Sequence, residues 1–186
     1  MLGENLIKLA TVLLLMLFDT RPIYVFDVDG VLVDVSEKIS VVMKKLKLDA
    51  RDPEDLDPKI RSRFWRLFLS EDYIIYDKPR EIGIDLLLDR LKKGRVVVVT
   101  GRPASLRRAT ILELKSFGLP VSQISFFFRR KGDFKKDYEY KCDVIKSLVN
   151  VIEVHDDSVE VLEALSRILK NTKLYLHFDD SFTLFP

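Results

Sequence analysis

Residues 24–32 read Tyr24-Val25-Phe26-Asp27-Val28-Asp29-Gly30-Val31-Leu32. An apolar run passes straight into two carboxylates one residue apart, then a glycine. Asp and Gly are depleted in strands. Buried carboxylates are costly unless a cation or hydrogen bonds compensate. Asp-x-Asp-Gly at the end of a core strand therefore points to chemistry at that strand end.

Working outward, Ile23–Asp27, Arg95–Thr100, Ile124–Phe128, Val151–His155 and Lys173–Phe178 read as strands. Val96-Val97-Val98-Val99 is a continuous β-branched run, the pattern of a strand buried on both faces. Helical patterns lie between the strands. Ile84, Leu87, Leu88 and Leu91 share one face of Ile82–Leu91, which Lys92-Lys93-Gly94 ends. Ala104–Phe117, Tyr138–Val149 and Val159–Leu169 complete the set. This alternation implies parallel strands, right-handed crossovers and helices on both faces. The predicted fold is α/β, three-layered and Rossmann-like, around a mainly parallel five-stranded sheet. Ligands of such sheets sit at the carboxyl ends of the strands.

One interval breaks the rhythm. Residues 35–77 are too many for a simple βα connection. They read as a helix (Glu37–Leu46), a Pro-containing acidic loop (Asp49–Pro58) and a second helix (Lys59–Leu69). This is a small helical cap insertion above the strand ends, within one domain spanning residues 1–186.

Composition narrows the function classes. The apolar fraction of 47% fills a real core, and a net charge of +2 offers no global field for nucleic acid or membrane. Runs such as Lys44-Lys45 and Arg129-Arg130-Lys131 read as solvated faces. The lone cysteine, Cys142, excludes an internal disulfide and a multi-cysteine zinc site. It fits a reducing, cytoplasmic setting. Leu6–Phe18 is apolar but short for a membrane span. Its front carries Glu4 and Lys8, and no small-x-small cleavage site follows. Residues 1–20 are expected to form a helix packed on the domain or on a partner. If its apolar face is exposed, a homodimer buries it most simply.

Each carboxyl strand end offers polar groups: Asp27 and Asp29, then Thr100-Gly101-Arg102, then Arg129-Arg130-Lys131, then His155-Asp156-Asp157. The proposed sheet makes four carboxylates converge. Two carboxylates about 4 Å apart repel by about 4 kcal/mol at an effective dielectric of about 20. Several such pairs threaten a domain whose net stability is about 5–15 kcal/mol. A divalent cation and a lysine resolve this, and carboxylate oxygens favour Mg²⁺ over zinc.

Asp-x-Asp-Gly-Val after one strand, Thr-Gly-Arg after a second, a lysine opening a later helix and Asp-Asp after a fourth strand resemble the haloacid dehalogenase superfamily. The motifs occur in order, and the likeness covers about Ile23 to Leu169. It implies a haloacid dehalogenase-like fold and a Mg²⁺-dependent phosphatase. By that resemblance Asp27 is the nucleophile that forms an aspartyl-phosphate. Asp29 is the general acid and then the base, and its backbone carbonyl ligates Mg²⁺. Dehalogenase members lack the second carboxylate, so its presence favours phosphoryl transfer. Gly30 permits the tight turn after the strand. Thr100 and the Gly101 amide hold phosphoryl oxygens. Asp156 is a further Mg²⁺ ligand, and Asp157 a direct or water-mediated one. Among Lys131, Lys135, Lys136 and Lys141, Lys141 is preferred as the catalytic and phosphate-binding lysine. It opens the helix before the Asp-Asp strand, and Asp137 precedes it by four residues on the same face. Asp-x-x-x-Lys resembles the 3′-phosphatase domains of polynucleotide kinases.

Other residues carry two readings. His155 is either a hydrogen-bonding neighbour of the metal site or a packed strand-end histidine. Arg102 and Arg129 either clamp a leaving group or second phosphate, or are ordinary surface charges. His177 reads as structural, Ser105 as part of a helix start, and Phe64, Trp65 and Phe68 as the insertion's own core.

The expected substrate is a small phosphorylated metabolite, because the near-neutral charge argues against strong nucleic-acid binding. A nucleic-acid 3′ end or a phosphoprotein is the alternative, favoured by a small cap and by Asp137/Lys141. A non-catalytic binding module with the same fold is the third reading.

Overall fold

The computed structural model of the chain describes residues 20–49 and 53–186. The N-terminal helix expected from the sequence lies outside the described residues. The strands are β1 (Ile23–Phe26), β2 (Val33–Asp34), β3 (Lys78–Pro79), β4 (Arg95–Pro103), β5 (Ile124–Arg129), β6 (Val151–Asp156), β7 (Lys173–Phe178) and β8 (Ser181–Leu184). The helices are α1 (Ser36–Lys45), α2 (Pro58–Phe68), α3 (Glu81–Leu91), α4 (Arg107–Ser116), α5 (Asp137–Ile145) and α6 (Val159–Ile168).

The main sheet has the order β5-β4-β1-β6-β7-β8. Strands β5, β4, β1, β6 and β7 are parallel. Strand order reverses beside β1, so the carboxyl ends of β1, β4 and β6 form the crevice where such sheets bind ligands.

Strand alternation builds two cores. Tyr24 and Phe26 of β1, with Val96 and Val98 of β4, face Leu87 of α3 and Leu114 of α4. Ile23 and Val25, with Val97 and Val99, face Tyr140 and Ile145 of α5 and Leu162 and Leu165 of α6. The β-branched run of β4 supplies both layers, one residue to each in turn.

Among the described residues six strands form the main sheet, where the sequence predicts five. The addition is β8, which pairs antiparallel with β7 through a hairpin at Asp179-Asp180. Asp179 takes a positive φ of 42° there, a conformation that Asp tolerates better than most residues. A four-residue strand behind an Asp-Asp turn leaves too short an alternating pattern to announce itself.

The insertion enters through β2 and leaves through β3, which pair antiparallel at its base. Between them lie α1, α2 and short 3₁₀ turns. Val42 and Met43 of α1 pack on Phe64 and Phe68 of α2, with Trp65 against them. The aromatic cluster is thus the insertion's own core, as its helical spacing predicts. Among the described residues, no helix is long and apolar enough to cross a membrane.

Candidate active site

Asp27 follows β1 directly, and its N–H donates to the His155 carbonyl of β6 at 3.0 Å. Its side chain is buried. Lys141, from the first turns of α5, reaches it across the sheet end: Nζ lies 2.8 Å from Asp27 Oδ2 and 2.8 Å from Asp156 Oδ2. Asp137, one turn earlier on α5, lies 3.0 Å from the same Nζ. All three ammonium protons therefore meet carboxylates. Burial works against the charge of Lys141, but Asp156, Asp27 and Asp137 outweigh it and hold the pKa well above its ordinary value. Burial pushes Asp27 well above the carboxylate range, with Lys141 opposing and Asp156 and Asp157 reinforcing. Lys131, Lys135 and Lys136 lie outside this contact set; Lys135 binds Asp143 instead.

The remaining oxygen of Asp27, Oδ1, is buried without a partner. One oxygen each from Asp27, Asp156 and Asp157 lies within 4.8 Å of the others. A divalent cation fits this donor set: three hard carboxylate oxygens, two of them from buried residues, in a site whose ionised form demands positive charge. Asp157 lies open to solvent, yet desolvation by the surrounding protein and the charge of Asp156 push its carboxyl up to about 7. Gly30 makes room for it. Gly30 has φ +74°, and a Cβ there would overlap the Asp157 carboxylate.

Thr100 is fully buried within β4, where the pairing with β5 shifts register before Pro103. Its Oγ1 accepts the Arg102 N–H at 3.1 Å, which leaves the hydroxyl proton to donate. Gly101 borders Asp137 so closely that a Cβ would crowd Asp137 Oδ1.

Asp29 points elsewhere. Arg102 Nη2 lies 2.7 Å from Asp29 Oδ1, and Nε lies 3.1 Å from both its oxygens. Burial alone would raise the pKa of Asp29; Arg102 and then Lys38 reverse this and hold it below the usual carboxylate range. Arg102 is itself buried. Its other contacts are Asp77 at 2.8 Å, Glu113 at 2.6 Å and the Thr110 hydroxyl at 3.1 Å. The expectation that Arg102 binds phosphate is corrected here, because every face of its guanidinium is taken by the protein.

The sequence matches no protein-family model and no curated protein. Solved structures share the shape. Protein Tyrosine Kinase A from Mycobacterium tuberculosis is 14% identical, with a TM-score of 0.61 over 88% of this chain and 90% of that one. A haloacid dehalogenase-like family hydrolase from Streptococcus pneumoniae is 14% identical, with a TM-score of 0.57 and 84% of each chain covered. The chain has the haloacid dehalogenase-like fold. A chain of the Pnkp1/Rnl/Hen1 complex is 16% identical, with a TM-score of 0.57; 86% of this chain matches 47% of that one. The protein thus spans about half the length of those Pnkp1 complex chains.

On this haloacid dehalogenase-like frame Asp27, Thr100, Gly101, Lys141, Asp156 and Asp157 gather at one sheet end, while Asp29 lies at its margin on Arg102. His155 is the packed histidine of its two readings. It stacks on Phe26 at 4.4 Å and on Tyr175 at 4.8 Å, on the opposite face of β6 from Asp156. Arg129 is also committed, to Asp137 at 2.7 Å and to the Gly101 and Lys135 carbonyls.

Two buried networks have no signature in the sequence. Lys38, Asp77 and Glu113 join Arg102 in one. The other runs Arg80, His177, His155, Glu153. An arginine only donates, so His177 Nδ1 accepts from Arg80 at 2.8 Å. His177 Nε2–H then donates to His155 Nδ1 at 3.0 Å. His155 Nε2–H is left facing Glu153, which Arg90 holds at 2.6 Å. Arg80 also donates to the Asp179, Phe178 and Ser181 carbonyls. This network ties the insertion's exit to the β7–β8 hairpin.

Proposed function

We propose that the protein is a Mg²⁺-dependent phosphatase that hydrolyses a phosphomonoester through an aspartyl-phosphate on Asp27. The observation that carries this reading is the free, buried Oδ1 of Asp27, set beside Lys141 and the Asp156/Asp157 pair. Oδ1 attacks phosphorus, and the bond to the leaving oxygen breaks. Lys141 balances the charge of Asp27 while it attacks and while it carries the phosphoryl group. The Thr100 hydroxyl and the Gly101 amide donate to the phosphoryl oxygens. Asp29, ionised in its contact with Arg102, first takes up a proton from solvent, gives it to the leaving oxygen and then takes one from the water that cleaves the acyl phosphate. Asp27, Asp156, Asp157 and the Asp29 carbonyl would hold Mg²⁺, which supplies Lewis-acid polarisation of the phosphoryl group.

The substrate favoured is a small phosphorylated metabolite. A cleft of about 820 Å³ borders Gly30 and Asp157, within the size range of small-molecule sites. Asp34, Glu81, Asp157, Asp179 and Asp180 line it. Its one arginine, Arg80, is bonded to backbone carbonyls and His177. This acidic cleft flanks the site and is not lined by Asp27, Thr100 or Lys141; what favours a small substrate is the net charge of +2, which offers no basic stripe for a polyanionic chain. The second reading, a nucleic-acid 3′ end, is favoured by the Asp137–Lys141 pair.

The test is release of phosphate from an aryl phosphate with and without Mg²⁺, by the wild type and by Asp27→Asn. Turnover that needs both Mg²⁺ and Asp27 is expected. Undiminished turnover by folded Asp27→Asn would overturn the mechanism. A metabolite-phosphate panel run beside 3′-phosphorylated oligonucleotides separates the two substrate classes.

A further inference from the structure

Arg102 and Lys38 share two carboxylates. Arg102 lies 2.7 Å from Asp29 and 2.8 Å from Asp77. Lys38 Nζ lies 2.8 Å from Asp77 and 3.9 Å from Asp29 Oδ1. The four groups come from four places. Asp29 follows β1 and Arg102 lies in β4, while Lys38 is on α1 and Asp77 is the last residue of the insertion. Lys38, Arg102 and Asp77 are buried, and Asp29 retains 24% of its side-chain exposure. Asp29 is therefore the member that meets solvent at the sheet end.

Lys38 also fixes the insertion internally. Its Nζ lies 4.2 Å from the centroid of the Phe68 ring, in the core between α1 and α2. The Lys38–Asp77 contact closes the insertion on itself across 39 residues. The insertion cannot shift as a body without carrying Lys38 and Asp77 with it. Moving them takes Asp77 from Arg102 and leaves Asp29 with one of its two cations. A buried charge that loses a partner is costly, so the four groups keep or lose this arrangement together.

We propose that Lys38 and Asp77 are positioning residues for Asp29, making the seating of the insertion and the placement of the acid–base carboxylate one event. This rests on the phosphatase reading. It assigns a role in the reaction to two residues that lie outside every motif at the strand ends. Arg102 is the link between them and Asp29.

The test is a double-mutant cycle between Lys38→Met and Asp29→Asn. An alkyl phosphate is the substrate, since its alcohol leaves only with a proton. Lys38→Met is expected to lower kcat about tenfold or more and to leave KM within about threefold. In the Asp29→Asn background the same change is expected to cost less than about twofold, because the residue it positions is already gone. Lys38→Arg is expected to restore most of the loss. An aryl phosphate with a strongly acidic phenol gives a second readout. Its first-turnover burst needs no proton donor, so the burst rate is expected to survive Lys38→Met while steady-state turnover falls. Asp77→Asn, taken through the same cycle, answers the question if Lys38→Met fails to fold. Equal factors in both backgrounds, or burst and steady state falling together, overturn the proposal and leave the phosphatase reading standing. Absence of turnover by the wild type overturns both.

Discussion

Lys141 Nζ lies 2.8 Å from Asp27 Oδ2 across 114 residues of chain. The pair closes the site: α5 crosses behind the sheet and returns a cation to the residue that ends β1. Asp156 and Asp137 complete the ring around the ammonium, so one lysine offsets part of the charge of a cluster that the sheet geometry forces together.

Replacing that lysine by an apolar residue tests the arrangement. Lys141→Met leaves the buried Asp27 and Asp156 without their cation, while Asp137 keeps Arg129. Stability at neutral pH without Mg²⁺ is expected to fall by about 3–5 kcal/mol, the range for a buried pair broken on one side. Added Mg²⁺ is expected to recover more Tm in the variant than it adds to wild type. Thermal denaturation with and without the metal measures both. Turnover is expected to drop at least about a hundredfold.

Gly30→Ala tests the metal site from the opposite wall. The new methyl meets the Asp157 carboxylate, and the φ of +74° is itself unfavourable for alanine. The variant is expected to lose Mg²⁺-dependent activity and most of the Mg²⁺-induced Tm shift. A Tm shift equal to wild type would place the metal away from Asp157.

Glu113 gives a pH dependence. Burial, with Asp77 beside it, outweighs Arg102 and pushes its carboxyl up to about 8. Its Oε1 is buried without a donor, the position from which a protonated carboxyl serves Asp77. The folded pKa stands above the unfolded value of about 4.3. Its contribution is therefore full below about 4.3 and is lost as pH rises through about 8. Glu113→Gln keeps the shape without the proton. Its stability relative to wild type, measured by chemical denaturation, is expected to improve steadily from about pH 5 to about pH 8.5. A constant difference across that range would contradict the assignment.

His177 behaves in the opposite sense. Burial, His155 and Arg80 push its pKa down to about 3, so the folded ring stays neutral where the unfolded ring is charged. The contribution is full above the unfolded value of about 6.5 and is lost as pH falls toward about 3. His177→Gln removes the titration. Its stability is expected to decline less steeply than that of wild type between about pH 6 and about pH 4. Parallel curves would show that the ring is charged in the fold.

The parts legible in the sequence are those that short spacing encodes. The Tyr24–Leu32 stretch, the valines of β4 and the i,i+4 pair Asp137/Lys141 each carry their meaning within a few residues. They suffice to place five parallel strands and to gather Asp27, Thr100, Lys141, Asp156 and Asp157. The neighbours of Arg102 were not legible. Asp29 is 73 residues away and Asp77 is 25, and nothing local marks either as its partner. The arginine of Thr-Gly-Arg therefore reads as a phosphate ligand in sequence and stands as a buried strut in the fold. The same reason hides the His155–His177 contact, which exists only because β6 and β7 are neighbours.

The central claim is that Asp27 carries the phosphoryl group. Acid quench within the first turnovers, with an aryl phosphate and Mg²⁺ present, traps the acyl phosphate for mass spectrometry of the peptide spanning residues 22–32. The expected result is one added phosphoryl group on that peptide in wild type, localised to Asp27 and absent from Asp27→Asn. Turnover with no label on this peptide, or with the label on another residue, would contradict it.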